Sequence, residues 1–291
     1  MTALFLRNGP PQSGEHPTIE PLTPEAAREV RLPWLSHFNA DSLANLLREH
    51  PGHSLWVPRT GEYVLAEPWR HRDDIANILE VTARRGREAL VSALTSHLAG
   101  MDYRLVLCAD EVWRDGTKHW LGAGFSQIEK IVFFQRDLRD KLAGEPRAEL
   151  PHLDYRLFTV DDMDNLLVLD HDSFPWLWWN SYRELEMYLQ VPNVFAYGAL
   201  LEGEPVGYAS FTLYEGWAHL DRLAVITSQQ GRRYGAAQLM HVMRKMVELG
   251  ASAVGLSTQQ NNTQSHRLYK AFGFRQSPDS MTFYGKQLSD R

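Results

Sequence analysis

The stretch LDRLAVITSQQGRRYGAAQL (Leu220–Leu239) decides the architecture of the second half of this 291-residue chain. It begins as an apolar strand, passes through a basic loop holding Gln230, Gly231, Arg232, Arg233, Tyr234 and Gly235, and opens into a helix at Ala236. Backbone N–H groups in such a loop and in the first helical turn lack intrahelical partners and point the same way. With the helix dipole they form a seat for a di-anionic group. Gly231 and Gly235, having no Cβ, let phosphate oxygens approach closely, and Arg232 and Arg233 add positive charge. Taken alone, the loop also reads as an ordinary turn with a capping glycine.

A second segment, NNTQSHRLYKAFGF (Asn261–Phe274), follows the short apolar strand after Gly250. Asn262, Ser265, Leu268, Tyr269, Gly273 and Phe274 stand in the pattern Asn-x-x-Ser-x-x-Leu-Tyr-x-x-x-Gly-Phe. In these two segments the sequence resembles the GNAT superfamily of acyl-CoA-dependent N-acyltransferases. The pyrophosphate motif of that superfamily, Gln/Arg-x-x-Gly-x-Gly/Ala, is opened here by Gln230 and closed by Gly235, with Arg233 where its middle glycine stands. The resemblance covers Tyr155 to Leu288. It implies an α/β (α+β) fold with a mixed, mostly antiparallel sheet flanked by helices. It also implies acetyl-CoA as cofactor, coenzyme A as product, and direct attack by an amine in a ternary complex. Cofactor contacts carried over from the resemblance are Leu223, Ala224 and Val225 at the thioester, Gln230 to Ala236 at the pyrophosphate, and Asn262, Ser265 and Tyr269. Tyr269 is also the implied proton donor to the departing sulfur.

The base that collects the amine proton is read from the strand Trp217–Val225. Simple alternation puts His219, Asp221, Leu223 and Val225 on one face and Leu220, Arg222, Ala224 and Ile226 on the other. Asp221 ranks first, His219 second and Glu215 third, with an ordinary polar strand residue as the competing reading of His219. Acceptor contacts are expected in HDSFPWLWW (His171–Trp179), from Asp172, Trp176 and Trp178. A core cluster, or packing against the first half, competes for those tryptophans.

Outward from these segments, composition divides the chain into an irregular arm at 1–25, a first domain at 26–140, a linker at 141–153 and a catalytic domain at 154–291. HWLGAGFSQIEKIVFFQRDL in the first domain parallels YKAFGFRQSPDSMTFYGKQL at the end of the second. This predicts an internal duplication, with two GNAT-like domains and a degenerate first copy, a different small α/β domain being the competing reading of the first half. Trp69–Asp74 is expected at the position of the pyrophosphate loop in that copy, and it contains no glycine. Arg72–Arg84 and Arg87–Leu98 read as helices.

The balance of 30 Lys plus Arg against 36 Asp plus Glu, a net charge of −6, argues against a dedicated nucleic-acid binder. A single cysteine, Cys108, excludes an internal disulfide and a cysteine-rich metal site. No apolar run reaches the roughly 20 residues of a bilayer span. The expectation is a cytoplasmic N-acetyltransferase acting on a small-molecule amine, a monomer or homodimer without metal, nucleic-acid or membrane partners. A non-catalytic acyl-CoA sensor and a transferase acting on peptide or protein amines are the alternatives.

Overall fold

The computed structural model describes residues 18–82, 86–110, 118–139 and 149–288. Most of the expected arm and residues 141–148 of the expected linker lie outside these. The first half runs β1 (Glu20–Pro21), α1 (Ala40–Glu49), β2 (Leu55–Val57), β3 (Glu62–Pro68), β4 (Ile75–Val81), α2 (Arg87–Ala99), β5 (Leu105–Ala109), α3 (Lys118–Gly122) and β6 (Ser126–Asp137). The second half runs β7 (Asp154–Leu157), α4 (Met163–Ser173), α5 (Tyr182–Gln190), β8 (Val194–Leu201), β9 (Glu204–Tyr214) and β10 (Trp217–Val225), then α6 (Tyr234–Glu248), β11 (Ala253–Gln259), α7 (Thr263–Ala271) and β12 (Arg275–Gln287). The strand order within each half is the same, and both halves place a parallel pair, β4 with β5 and β10 with β11, inside an otherwise antiparallel arrangement.

The halves do not keep separate sheets. Among the described residues the twelve strands form one sheet in the order β1-β2-β3-β4-β5-β12-β6-β11-β10-β9-β8-β7. The last strand of each half has crossed into the other: β6 pairs with β11, and β12 pairs with β5. The two crossing strands also pair with each other. Burial matches the crossing. Val132 and Phe134 of β6 pack with Leu220, Leu239, Met243 and Leu256 of the second half, whereas Tyr284 of β12 packs with Leu90, Leu94 and Val106 of the first.

Two expectations for the first half are corrected. The described part of the expected helix Arg72–Arg84, residues 72–82, is not helical: it contains β4, parallel to β5 and antiparallel to β3. The spacing of Ile75, Ile78 and Leu79 imitates a helical face because both faces of this strand are covered, Ile75 and Ile78 being fully buried, and alternation is lost. Trp69–Asp74 does not occupy the strand-to-helix position of a pyrophosphate loop. It joins antiparallel β3 to β4, and the strand-to-helix connection is residues 82–86, of which 83–85 are outside the described residues.

The two faces of β10 are covered by different helices. α6 buries Leu239, Val242, Met243 and Met246 against one face, while Met163, Leu166 and Leu169 of α4 cover the other around Ala224 and Tyr208. Close approach of β9 to β10 depends on Gly207: a Cβ there would lie 2.2 Å from the Ala224 carbonyl oxygen and 2.6 Å from Gln238 Nε2. Gly207→Ala is therefore expected to destabilise the chain by about 1–3 kcal/mol, as overpacking against backbone does. A urea melt checks this, and an unshifted midpoint would contradict the packing described.

Candidate active site

The parallel strands β10 and β11 pair only from Trp217 to Leu220 and from Ala253 to Leu256. Beyond that point β10 stays with β9 as far as Val225, and β11 stays with β6 as far as Gln259. The strands therefore diverge and leave an open wedge. The ladder with β9 slips between Leu220 and Arg222, so Asp221 is an extra, bulged residue. This overturns the face assignment made by alternation. Ala218, Leu220 and Leu223 belong to the α6-side core, with Val225 beside Tyr234 and Ala237. Arg222 and Ala224 face α4, the first stacked 4.3 Å over Phe174 and the second in the α4 core.

A cleft of about 890 Å³ fills the wedge. At one end lies the N-terminus of α6, where Gln230, Gly231, Arg233, Tyr234, Gly235 and Ala236 line it. Gly231 has φ +78°, and a Cβ there would meet nothing within 4 Å, which leaves room for a ligand. The N–H groups of Gly231, Arg232, Tyr234 and Gly235 make no backbone hydrogen bond among the described residues, whereas that of Ala236 is donated to the Arg233 carbonyl at 3.0 Å. Arg233 is the N-cap of α6 and takes the left-handed conformation (φ 67°, ψ 11°) that glycine usually supplies. Its Nη1 donates to the Glu149 carbonyl at 2.8 Å. The Arg232 side chain does not line the cleft. This end fits a di-anionic group held mainly by backbone donors.

Along the wedge, Leu223 and Val225 line the cleft and Ala224 does not; the Ala224 carbonyl accepts from Gln238 Nε2 at 3.1 Å. From the opposite wall come Asn262, Ser265 and Tyr269. Asn262 caps α7 by accepting the Ser265 N–H at 3.1 Å, which fixes the start of the helix carrying Tyr269. The Tyr269 ring is buried near Phe134 and Phe274. Burial pushes its hydroxyl up to about 12, with Ser265 opposing.

Asp221 faces the cleft and gathers three donors. Tyr188 Oη donates to its Oδ2 at 2.6 Å and Thr212 Oγ1 to the same oxygen at 2.8 Å, while His219 Nδ1 lies 2.7 Å from Oδ1. His219 does not line the cleft and stands behind the carboxylate beside Trp217. Glu215 is exposed in the β9–β10 turn, outside the cleft.

Of the expected acceptor residues, only Trp178 lines the cleft. Asp172 instead clamps the β10–α6 loop: its carboxylate accepts the Thr227 N–H, and its carbonyl accepts from Thr227 Oγ1 at 3.0 Å. Trp176 reaches back to the first half. Its Nε1 donates to Asp74 Oδ2 at 3.1 Å, and Arg72 lies 4.9 Å over its ring. Cleft residues that sequence reasoning misses include Arg222, Phe174 and, from the first half, Arg70. Behind them Asp170 is fully buried, accepting from Asn180 N at 2.9 Å, Asn180 Nδ2 at 3.1 Å and Tyr208 Oη at 2.7 Å, with Arg222 Nη1 3.8 Å away. Away from the cleft, Glu49, His50 and His71 bring ligand atoms within 4.8 Å of one another.

Residues 158–274 match the family model described as Acetyltransferase (GNAT) family. Among solved structures, a tandem GNAT protein from the clavulanic acid biosynthesis pathway is similar over 94% of this chain and 99% of its own, with 15% identity and a TM-score of 0.55. A GCN5-related N-acetyltransferase from Sphaerobacter thermophilus is similar over 94% and 96%, with 14% identity and a TM-score of 0.61. Another from Kribbella flavida is similar over 93% and 71%, with 15% identity and a TM-score of 0.63. No curated protein sequence matches. The fold is that of the GNAT acyltransferases.

Replacing a buried carboxylate that neutralises a guanidinium leaves an uncompensated charge. Asp170→Asn is expected to lower the unfolding free energy by about 3–5 kcal/mol, read as the urea midpoint. A shift below about 1 kcal/mol would remove Asp170 from the supports of Arg222.

Proposed function

We propose that this protein is an N-acetyltransferase that transfers an acetyl group from acetyl-CoA to a primary amine of a small molecule, by direct attack in a ternary complex. The observation that carries the reading is the wedge between β10 and β11, which leads from the open N–H groups at the start of α6 to Asp221 on one side and Tyr269 on the other. A bound thioester would supply the activated acyl group; everything else comes from the chain. The N–H groups of Gly231, Arg232, Tyr234 and Gly235 hold the pyrophosphate. The backbone of Leu223–Val225 aligns the pantetheine arm and polarises the thioester carbonyl, where preorganised donors are most effective. Asp221, backed by His219, takes the proton released as the amine nitrogen bonds to carbon.

Tyr269 is protonated at neutral pH, as a phenol of ordinary pKa is, and burial raises its pKa further. Burial disfavours the phenolate, so its contribution is a hydrogen bond to sulfur as the C–S bond breaks. Removing the hydroxyl in Tyr269→Phe is expected to lower kcat about 100-fold, at the lower end for an acid catalyst, with acetyl-CoA affinity nearly unchanged.

We assign the chemistry to 154–291 and read 26–140 as a degenerate copy joined by the segment 141–153. Gly124-Phe125 and Gly273-Phe274 close α3 and α7 alike: the Phe125 N–H donates to the Trp120 carbonyl at 2.9 Å, and the Phe274 N–H to the Tyr269 carbonyl at 3.0 Å. Trp120, fully buried, therefore stands in the first half where Tyr269 stands in the second. An indole has no hydroxyl to offer a leaving thiolate. No helix among the described residues is long and apolar enough to cross a membrane.

The test is thiol release from acetyl-CoA across polyamines, amino acids, aminoglycosides and peptide N-termini, with Tyr269→Phe alongside. Turnover with a small amine and the expected loss in the variant support the reading. Binding of acetyl-CoA without turnover on any acceptor would make the chain a binding module instead. A folded variant with full kcat, where chemistry is rate-limiting, would take Tyr269 out of the mechanism.

A further inference from the structure

Beyond Asp221 the two halves meet around Asn180. Its Oδ1 accepts from Arg70 Nη1 at 2.6 Å and from Arg222 Nη2 at 2.8 Å, while its own N–H groups are given to Asp170. Asp170 thus supports both guanidinium groups through Asn180. Asp170 approaches Arg222 at 3.8 Å, and Glu184, the other nearby acid, lies 3.7 Å from His71. No carboxylate among the described residues pairs with Arg70, and its Nε is buried without an acceptor. Below it, Trp178 is 9% exposed, lines the cleft, and has a buried Nε1 that also lacks an acceptor. The guanidinium carbon lies 5.6 Å from that ring and 5.2 Å from Trp69.

This arrangement is held in place. Arg70 has φ 53° and ψ 40°, and His71 has φ 51°, a left-handed pair that non-glycine residues rarely adopt. Trp69 Nε1 on one side donates to the Leu177 carbonyl at 2.9 Å, and Arg72 on the other donates to the Trp176 carbonyl, fastening the connector to the second half. Burial, with Arg222 alongside, pulls the Arg70 guanidinium down to about 10, so it remains a cation at neutral pH. Two buried donors without acceptors, one of them on a guanidinium, at the wall of a partly desolvated cleft call for a hydrogen-bond acceptor, and a carboxylate is the acceptor a cation holds most strongly. The walls around them are apolar: Phe133 from β6, Phe174, and Met281 and Phe283 from β12.

We propose that the acceptor is an amino acid with an apolar side chain, its carboxylate held by Arg70 and Trp178 Nε1, its amine directed to Asp221, and its side chain against Phe133, Phe174 and Phe283. This rests on the acyltransferase reading and deepens it. The amine nitrogen forms the bond to the acetyl carbon as the C–S bond breaks. Its proton passes to Asp221, which His219 backs and which later returns it to solvent; the thiolate takes a proton from solvent, and the products are an N-acetyl amino acid and coenzyme A. Polyamines and aminoglycosides, which carry several positive charges and no carboxylate, are selected against by Arg70 and Arg222.

The experiment uses the full chain and matched pairs that differ by the carboxylate: L-phenylalanine with phenethylamine, L-tryptophan with tryptamine, and L-leucine with 3-methylbutylamine. The expected kcat/KM ratio favours the amino acid, and Arg70→Gln lowers that ratio by at least about tenfold, the loss of one charge-assisted contact. Arg70→Lys recovers part of it. Amine turnover with a ratio that Arg70→Gln does not change overturns the proposal and leaves the acyltransferase reading standing. If nothing turns over, that reading fails, and thermal stabilisation of the coenzyme A-loaded protein decides. Stabilisation by the amino acids and not by the paired amines supports a carboxylate site at Arg70; equal or no stabilisation by both overturns it.

Discussion

One extra residue keeps β10 and β11 apart. The bulge at Asp221 ends their pairing at Leu220 and Leu256, and the geometry of the whole site depends on that parting. It frees the inner edge of Leu223–Val225 from a strand partner. It turns Leu223 and Val225 towards α6 while leaving Asp221 and Arg222 on the side of α4 and α5. It also opens a path to the start of α6, where unpaired N–H groups await an anion. A bulge is a small departure in backbone terms, yet it re-aims every later side chain of the strand.

The exchange of closing strands brings the first half to the cleft. Because β6 lies between β11 and β12, Ile131 and Phe133 reach the cleft from the first half, while Met281 and Phe283 reach it from a strand anchored on β5. The β3–β4 connector adds Arg70 from the same side. The first half thus shapes the far wall of the cleft.

The features legible in the sequence are local ones. The loop Gln230–Gly235 and the helix Thr263–Ala271 are contiguous, and each carries its geometry in glycine positions and caps. Asp221 and His219 are recognisable as candidates, but alternation wrongly puts Leu223 and Val225 on their face because it presumes an unbroken ladder, and a bulge leaves no mark in composition. β4 reads as a helix because cover on both faces erases its period of two. The exchange of β6 and β12 is invisible, since both strands carry the same alternating pattern and nothing local names a partner. Arg70, Asn180 and Arg222 converge only in three dimensions. Asp172 and Trp176 are drawn into the expected acceptor site by an aromatic cluster that in fact fastens the two halves together.

The central claim is that a single acyl-CoA seat exists, in the wedge of the second half. A calorimetric titration of the full chain with acetyl-CoA tests it most directly. The account predicts one molecule bound per chain; two molecules per chain, or none, would contradict it.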